Sequence, residues 1–130
     1  MVIDTSAIMA ILLGESAAGQ LVEALEADRT RLVSAATVAE TSLVVLGRFG
    51  EMGDPQVDRL LRGIGAEVVP VGLEQVAIAR DAALRFGRGR HPAALNFGDC
   101  FSYALAMERG EPLLFVGEDF AKTDVNVCRW

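Results

Sequence analysis

Short apolar runs alternate with longer segments of helical spacing along this chain. Val2 to Asp4 reads as a short strand, and Thr5 to about Leu13 as the helix that follows it directly, broken by Gly14. A second helix is predicted from about Ala17 to Ala27, with Leu21, Val22 and Leu25 at helical spacing. Arg31 to Ser34 is a second strand, and the long apolar helix after it ends near Gly47 to Gly50. Asp54-Pro55 opens another helix, with Asp54 as its cap, Pro55 in the first position and a stripe of Val57, Leu60, Leu61 and Ile64. Glu67 to Val71 combines β-branched residues with a proline, which predicts an edge strand. Leu73 to Phe86 is a helix and Gly87 to Pro92 a loop. Asn96-Phe97-Gly98 then leads into a helix that opens at Asp99 and stops at Gly110. Pro112 to Val116 is a buried strand, and Val125 to Cys128 is expected to be the last one.

Strands alternating with helices predict an α/β sandwich with a mainly parallel sheet. At 130 residues, one domain over 1–130 is expected, and a hydrophobic fraction of 52% gives it a real core. Charged residues interrupt every apolar stretch before the roughly 18 residues that a spanning helix needs. Asp4 precedes the apolar Ala7 to Leu13 and no basic residue does, the reverse of a secretory signal, so a cytoplasmic protein is expected. Cys100 and Cys128 show neither metal-ligand pairing nor a disulfide framework, and are read as small buried hydrophobes.

The chemistry concentrates in four acids. Asp4 closes the first strand, Asp119 follows Leu113-Leu114-Phe115-Val116-Gly117, and Asp99 opens the run Cys100 to Ala106. Glu40 lies inside the apolar helix Ala35 to Leu46. In a strand-then-helix fold, strand ends and helix starts converge on one edge of the sheet, where ligands bind. Carboxylates gathered there repel one another unless a cation shares them. Taken singly, Asp4, Asp99 and Asp119 also suit helix caps, whereas capping does not explain an acid in mid-helix such as Glu40. Carboxylate oxygens select hard ions, Mg²⁺ or Mn²⁺, and one histidine with two scattered cysteines does not build a zinc site. A cation so held activates water and neutralises phosphate charge, which makes phosphodiester hydrolysis the natural reaction. An aspartyl-phosphate enzyme fits less well, because Ser6 stands where its second acid belongs. A phosphoacceptor receiver wants acids upstream of its phosphoacceptor strand, and none precede Asp4. The formal net charge of −6 is a weak argument against a nucleic-acid partner, since bound cations offset it, and it favours a basic protein partner.

The opening Met1 to Ala7 resembles that of PIN-domain ribonucleases, especially the VapC toxins of VapBC toxin–antitoxin pairs. The similarity continues through Ala39-Glu40-Thr41, Leu95 to Ala106 and Pro112 to Phe120, with Asn96 to Ala106 the most specific block. The resemblance implies a PIN-like three-layer α/β/α sandwich and an Mg²⁺- or Mn²⁺-dependent endoribonuclease toxin. Its acids would be Asp4 and Asp99 as main ligands, with Glu40 and Asp119 completing the site directly or through water; Glu118 and Asp124 are nearby alternatives to Asp119. It further implies a homodimer, and a cognate antitoxin whose arginine enters the acidic site.

Thr5 and Ser6 either place hydroxyls beside the metal or scissile phosphate, or cap the first helix. Asn96 either holds Asp99 or caps its helix. Arg85, Arg88, Arg90 and His91 form the only dense basic cluster; Arg88 and Arg90 are candidates to grip RNA phosphates. Tyr103 and Phe120 are expected in the core rather than stacked on bases. A module that binds RNA or a protein without cutting is the alternative reading, and the intact acid quartet speaks against it.

Overall fold

A computed structural model describes residues 1–130, the side chain of Met52 apart. In chain order the elements are β1 (Val2–Ile3), α1 (Thr5–Leu12), α2 (Ala18–Ala27), β2 (Leu32–Ser34), α3 (Ala35–Phe49) and α4 (Asp54–Gly63). They continue with β3 (Glu67–Val69), α5 (Leu73–Phe86), α6 (Phe97–Arg109) and β4 (Leu113–Leu114), with short 3₁₀ turns at Gly50–Met52 and Phe120–Lys122. The strands form one sheet in the order β3-β2-β1-β4, and all three ladders are parallel.

The strands are short, and β1, β2 and β4 are buried throughout because helices cover both sides. Adjacent side chains on a strand point to opposite faces. Val2, Leu32 and Leu113 therefore pack with Ala79, Phe86, Tyr103 and Leu105 of α5 and α6. Ile3, Val33 and Leu114 pack on the other side with Ile8, Leu21, Leu25, Val45 and Leu61, from α1 to α4. Two cores flank one sheet, which is the three-layer α/β/α sandwich, and apolar runs buried on both faces are what a parallel sheet requires.

β3 lies at the edge, as its proline predicted, and Pro70 falls just outside the ladder, where no amide donor is needed. Three local expectations change. Val125 to Cys128 is no full strand: it joins β4 by one bridge, with the Leu113 N–H donating to the Asn126 carbonyl at 2.8 Å. Asp54 is the first residue of α4 rather than its cap; Gly53 takes that place and offers no side-chain bond. The Asp99 helix starts two residues earlier, at Phe97, because Asn96 caps it. Gly110 ends α6 in the left-handed conformation, with φ of 64°. No helix among the described residues is long and apolar enough to cross a membrane.

Candidate active site

The order β3-β2-β1-β4 reverses direction beside β1, so the crevice at the carboxyl ends of β1 and β4 is the switch point where open parallel sheets bind ligands. Asp4 emerges there. Its N–H still pairs with the Leu114 carbonyl at 3.0 Å, and its side chain then caps α1. One carboxylate oxygen, Oδ2, accepts from the Ser6 N–H at 2.9 Å and from the Ser6 hydroxyl at 2.6 Å. The Ser6 oxygen in turn accepts from the Val116 N–H at 3.0 Å, tying this carboxylate to the segment after β4. The second oxygen, Oδ1, is buried with no hydrogen-bond partner, the only carboxylate oxygen so left among the described residues. A buried anionic oxygen without a partner is costly, and a cation is what relieves it.

Asp99 is the third residue of α6 and closes a reciprocal cap with Asn96. The Asn96 N–H donates to Asp99 Oδ2 at 2.7 Å, and the Asp99 N–H donates to Asn96 Oδ1 at 2.9 Å. Glu40 is half-buried on α3 and its Oε2 accepts from the Thr5 hydroxyl at 2.6 Å. The buried row of α3 consists of Thr37, Thr41 and Val45, and the Thr37 and Ser102 hydroxyls pair at 3.0 Å beneath the site. Asp119 directly precedes the 3₁₀ turn after β4; it is exposed and its carboxylate caps nothing.

Asp99 feels the other three acids. The Asp99 carboxyl is pushed up from 3.8 to about 6, first by burial and then by the negative charges of Asp4, Glu40 and Asp119, against the lowering bond from Asn96. Asp124 stands apart: it accepts from the Tyr103 hydroxyl at 2.6 Å and pairs with Arg85, which hold it below the usual carboxylate range. Burial and this bond push the Tyr103 phenol up to about 12. Glu118 is exposed. Among the described residues no three His, Cys, Asp or Glu side chains already stand grouped as a metal's ligands. Asn96 holds the Asp99 carboxylate and Thr5 holds that of Glu40. Hard oxygen donors, an orphaned buried carboxylate oxygen and mutual repulsion all fit a divalent cation.

Arg88 and Arg90 are exposed, and neither forms an ion pair among the described residues. Arg88 borders, with Asn96, Phe97 and Phe101, a cavity of about 460 Å³ between α5 and α6. Tyr103 and Phe120 are buried in the core. Gly98, to which the sequence assigned no functional role, stands where any added Cβ would strike the Glu40 carboxylate. The available signal was a glycine inside the first turn of a helix, where alanine suits the backbone better.

The sequence model of the PIN domain family matches residues 1–126. Ribonuclease VapC30 of Mycobacterium tuberculosis is 50% identical over 125 residues, covering 96% of this chain and 95% of that protein. Ribonuclease VapC of Mycolicibacterium smegmatis is also 50% identical over 125 residues, covering 96% of this chain and 97% of that protein. The crystal structure of VapC20 from Mycobacterium tuberculosis, a Sarcin-Ricin loop cleaving toxin, superposes with a TM-score of 0.77 at 18% identity, covering 98% of each chain. VapBC2 from Rickettsia felis, bound to a DNA fragment from its promoter, superposes with a TM-score of 0.75 at 14% identity, covering 99% of this chain and 97% of that one. The chain therefore belongs to the PIN-domain family and, within it, to the VapC group.

Proposed function

We propose that this protein is a metal-dependent endoribonuclease, the toxin of a toxin–antitoxin pair. The observation that carries the reading is Asp4 Oδ1, buried without a partner, in a group where Asp4, Glu40 and Asp119 together raise Asp99. Relatives named ribonucleases over nearly their whole length support the activity.

Asp4 and Asp99 would hold a Mg²⁺ or Mn²⁺ ion, with Glu40 and Asp119 completing the site directly or through water. When bound, such an ion makes water a better nucleophile and neutralises charge on the phosphate. The chain's own groups do the rest. Ser6 locks one oxygen of Asp4 and so aims the other into the crevice. Thr5 holds the Glu40 carboxylate with a hydrogen bond, and Asn96 fixes the rotamer of Asp99. Asp119, exposed beside a turn, would orient water or a leaving group. Arg88 and Arg90 would grip RNA phosphates beside the acids, by charge rather than by base.

Neighbours that are toxin–antitoxin complexes support a cognate antitoxin as partner. The exposed Leu43, Leu46 and Phe49 on α3, with Leu84 and Phe97 on α5 and α6, leave apolar surface for that antitoxin and for a second copy of this chain. An arginine on the antitoxin would satisfy the acids without metal.

The test is RNA cleavage by purified, antitoxin-free protein with Mg²⁺ or Mn²⁺, beside EDTA and Asp99→Asn controls. Cleavage that needs metal and disappears in the variant supports the reading. Activity that survives the variant misplaces the site, and binding of RNA without cleavage points to a non-cutting module.

A further inference from the structure

Gly98 is the second residue of α6, directly before Asp99, and it is buried. A glycine there weakens the helix relative to alanine, so its presence requires another reason. A Cβ built on Gly98 falls 2.0 Å from Glu40 Oε1, 2.1 Å from Cδ and 2.2 Å from Oε2, where ordinary contact begins at 3.4 Å. The glutamate carboxylate thus lies flat against the bare backbone at the start of α6, an end whose dipole favours an anion. On another side the Thr5 hydroxyl donates to Oε2 at 2.6 Å. Thr5 directly follows Asp4, as Gly98 directly precedes Asp99. Glu40 reaches from α3 between the two chain segments that carry Asp4 and Asp99.

We infer that Gly98 and Thr5 are positioning residues that together fix the Glu40 carboxylate against Asp4 and Asp99, and that position 98 must lack a side chain for the site rather than for the helix. The inference rests on the reading of Glu40 as one of the metal-holding acids. Alanine at 98 would push the carboxylate back by more than 1 Å and force it off Thr5, since the glutamate is flexible and the α6 backbone is not. A displacement of this size costs on the order of 100-fold in turnover when a catalytic group depends on it.

The experiment is a double-mutant cycle on Gly98→Ala and Glu40→Ala, read by Mn²⁺ titration (electron paramagnetic resonance of the free ion) and by thermal melting without metal. Gly98→Ala is expected to weaken Mn²⁺ binding about tenfold in the parent chain and not at all once Glu40 is alanine. Without the glutamate, the same change should raise the melting temperature, because only the helix preference remains. Thr5→Val should weaken Mn²⁺ binding and Thr5→Ser should restore it. Equal losses of affinity with and without Glu40, or no loss in the parent chain, would overturn the inference. If the parent chain bound no Mn²⁺, the metal reading would fall, and the melts would still decide: coupling between 98 and 40 supports the positioning role, and additivity refutes it.

Discussion

Replacing Asp99 by asparagine should stabilise the metal-free protein at neutral pH and destabilise it, relative to the parent, once Mn²⁺ is present. The Asp99 carboxyl sits at about 6 in the folded chain against 3.8 ordinarily. An acid raised in this way holds its proton longer folded than unfolded. Stability therefore falls as pH rises from about 4 to about 6, and the full penalty applies above that window. A shift of this size corresponds to roughly 3 kcal/mol unscreened; Asp99 is only partly buried, so about 1 kcal/mol is expected. Asparagine keeps the oxygen that accepts from the Asn96 N–H and loses the charge. In EDTA at pH 7.5 its melting temperature should exceed that of the parent by about 3–5 °C, and the two should converge near pH 4. At a hundredfold excess of Mn²⁺ over its dissociation constant, the parent gains about 2.7 kcal/mol while the variant gains little, so the order inverts. Scanning calorimetry at the two pH values, with and without Mn²⁺, reads all four states. A folded variant that melts below the parent in EDTA at pH 7.5 would refute the argument from repulsion.

Asp119 and Asp124 should separate cleanly. Asp119→Asn should cut RNA cleavage at least tenfold with an unchanged melting temperature, because its carboxylate makes no structural bond. Asp124→Ala should lower stability by about 1–3 kcal/mol by stranding the Tyr103 hydroxyl, and should leave cleavage near the parent level. Arg88→Glu with Arg90→Glu should weaken RNA binding and flatten its salt dependence by roughly 0.7 in log–log slope per lost phosphate contact, with Mn²⁺ affinity unchanged. Unchanged RNA affinity would remove that loop from the substrate path.

Much of the architecture was legible because its signals are local. Apolar runs bounded by acids and glycines marked β1, β2 and the helices, and Pro70 marked the edge. Element ends were less legible. The Asp54-Pro55 pair suggests a cap, yet Gly53 occupies that position; Val125 to Cys128 has strand-like residues, yet makes one bridge. The burial pattern of α3 has a tertiary cause. Thr37 and Thr41 turn inward, Thr37 meeting Ser102 of α6, while Leu43, Leu46 and Phe49 face outward. A sequence shows hydrophobicity but not which face a neighbouring helix covers. Asp4, Glu40, Asp99 and Asp119 stood out as acids in unusual places, and that they bear on one another is a matter of topology. The reach of Glu40 to Gly98 joins α3 and α6, and no spacing along the chain reveals it.

The most direct test of the central claim is the chemistry of the RNA ends made by the metal-loaded protein. Attack by water, with the acids holding the ion, predicts an open phosphate monoester at each cut, no cyclic phosphate, and no cleavage after EDTA or in Asp4→Asn. Cyclic phosphate ends formed in the presence of EDTA would show that the ribose hydroxyl is the nucleophile, and would contradict the account.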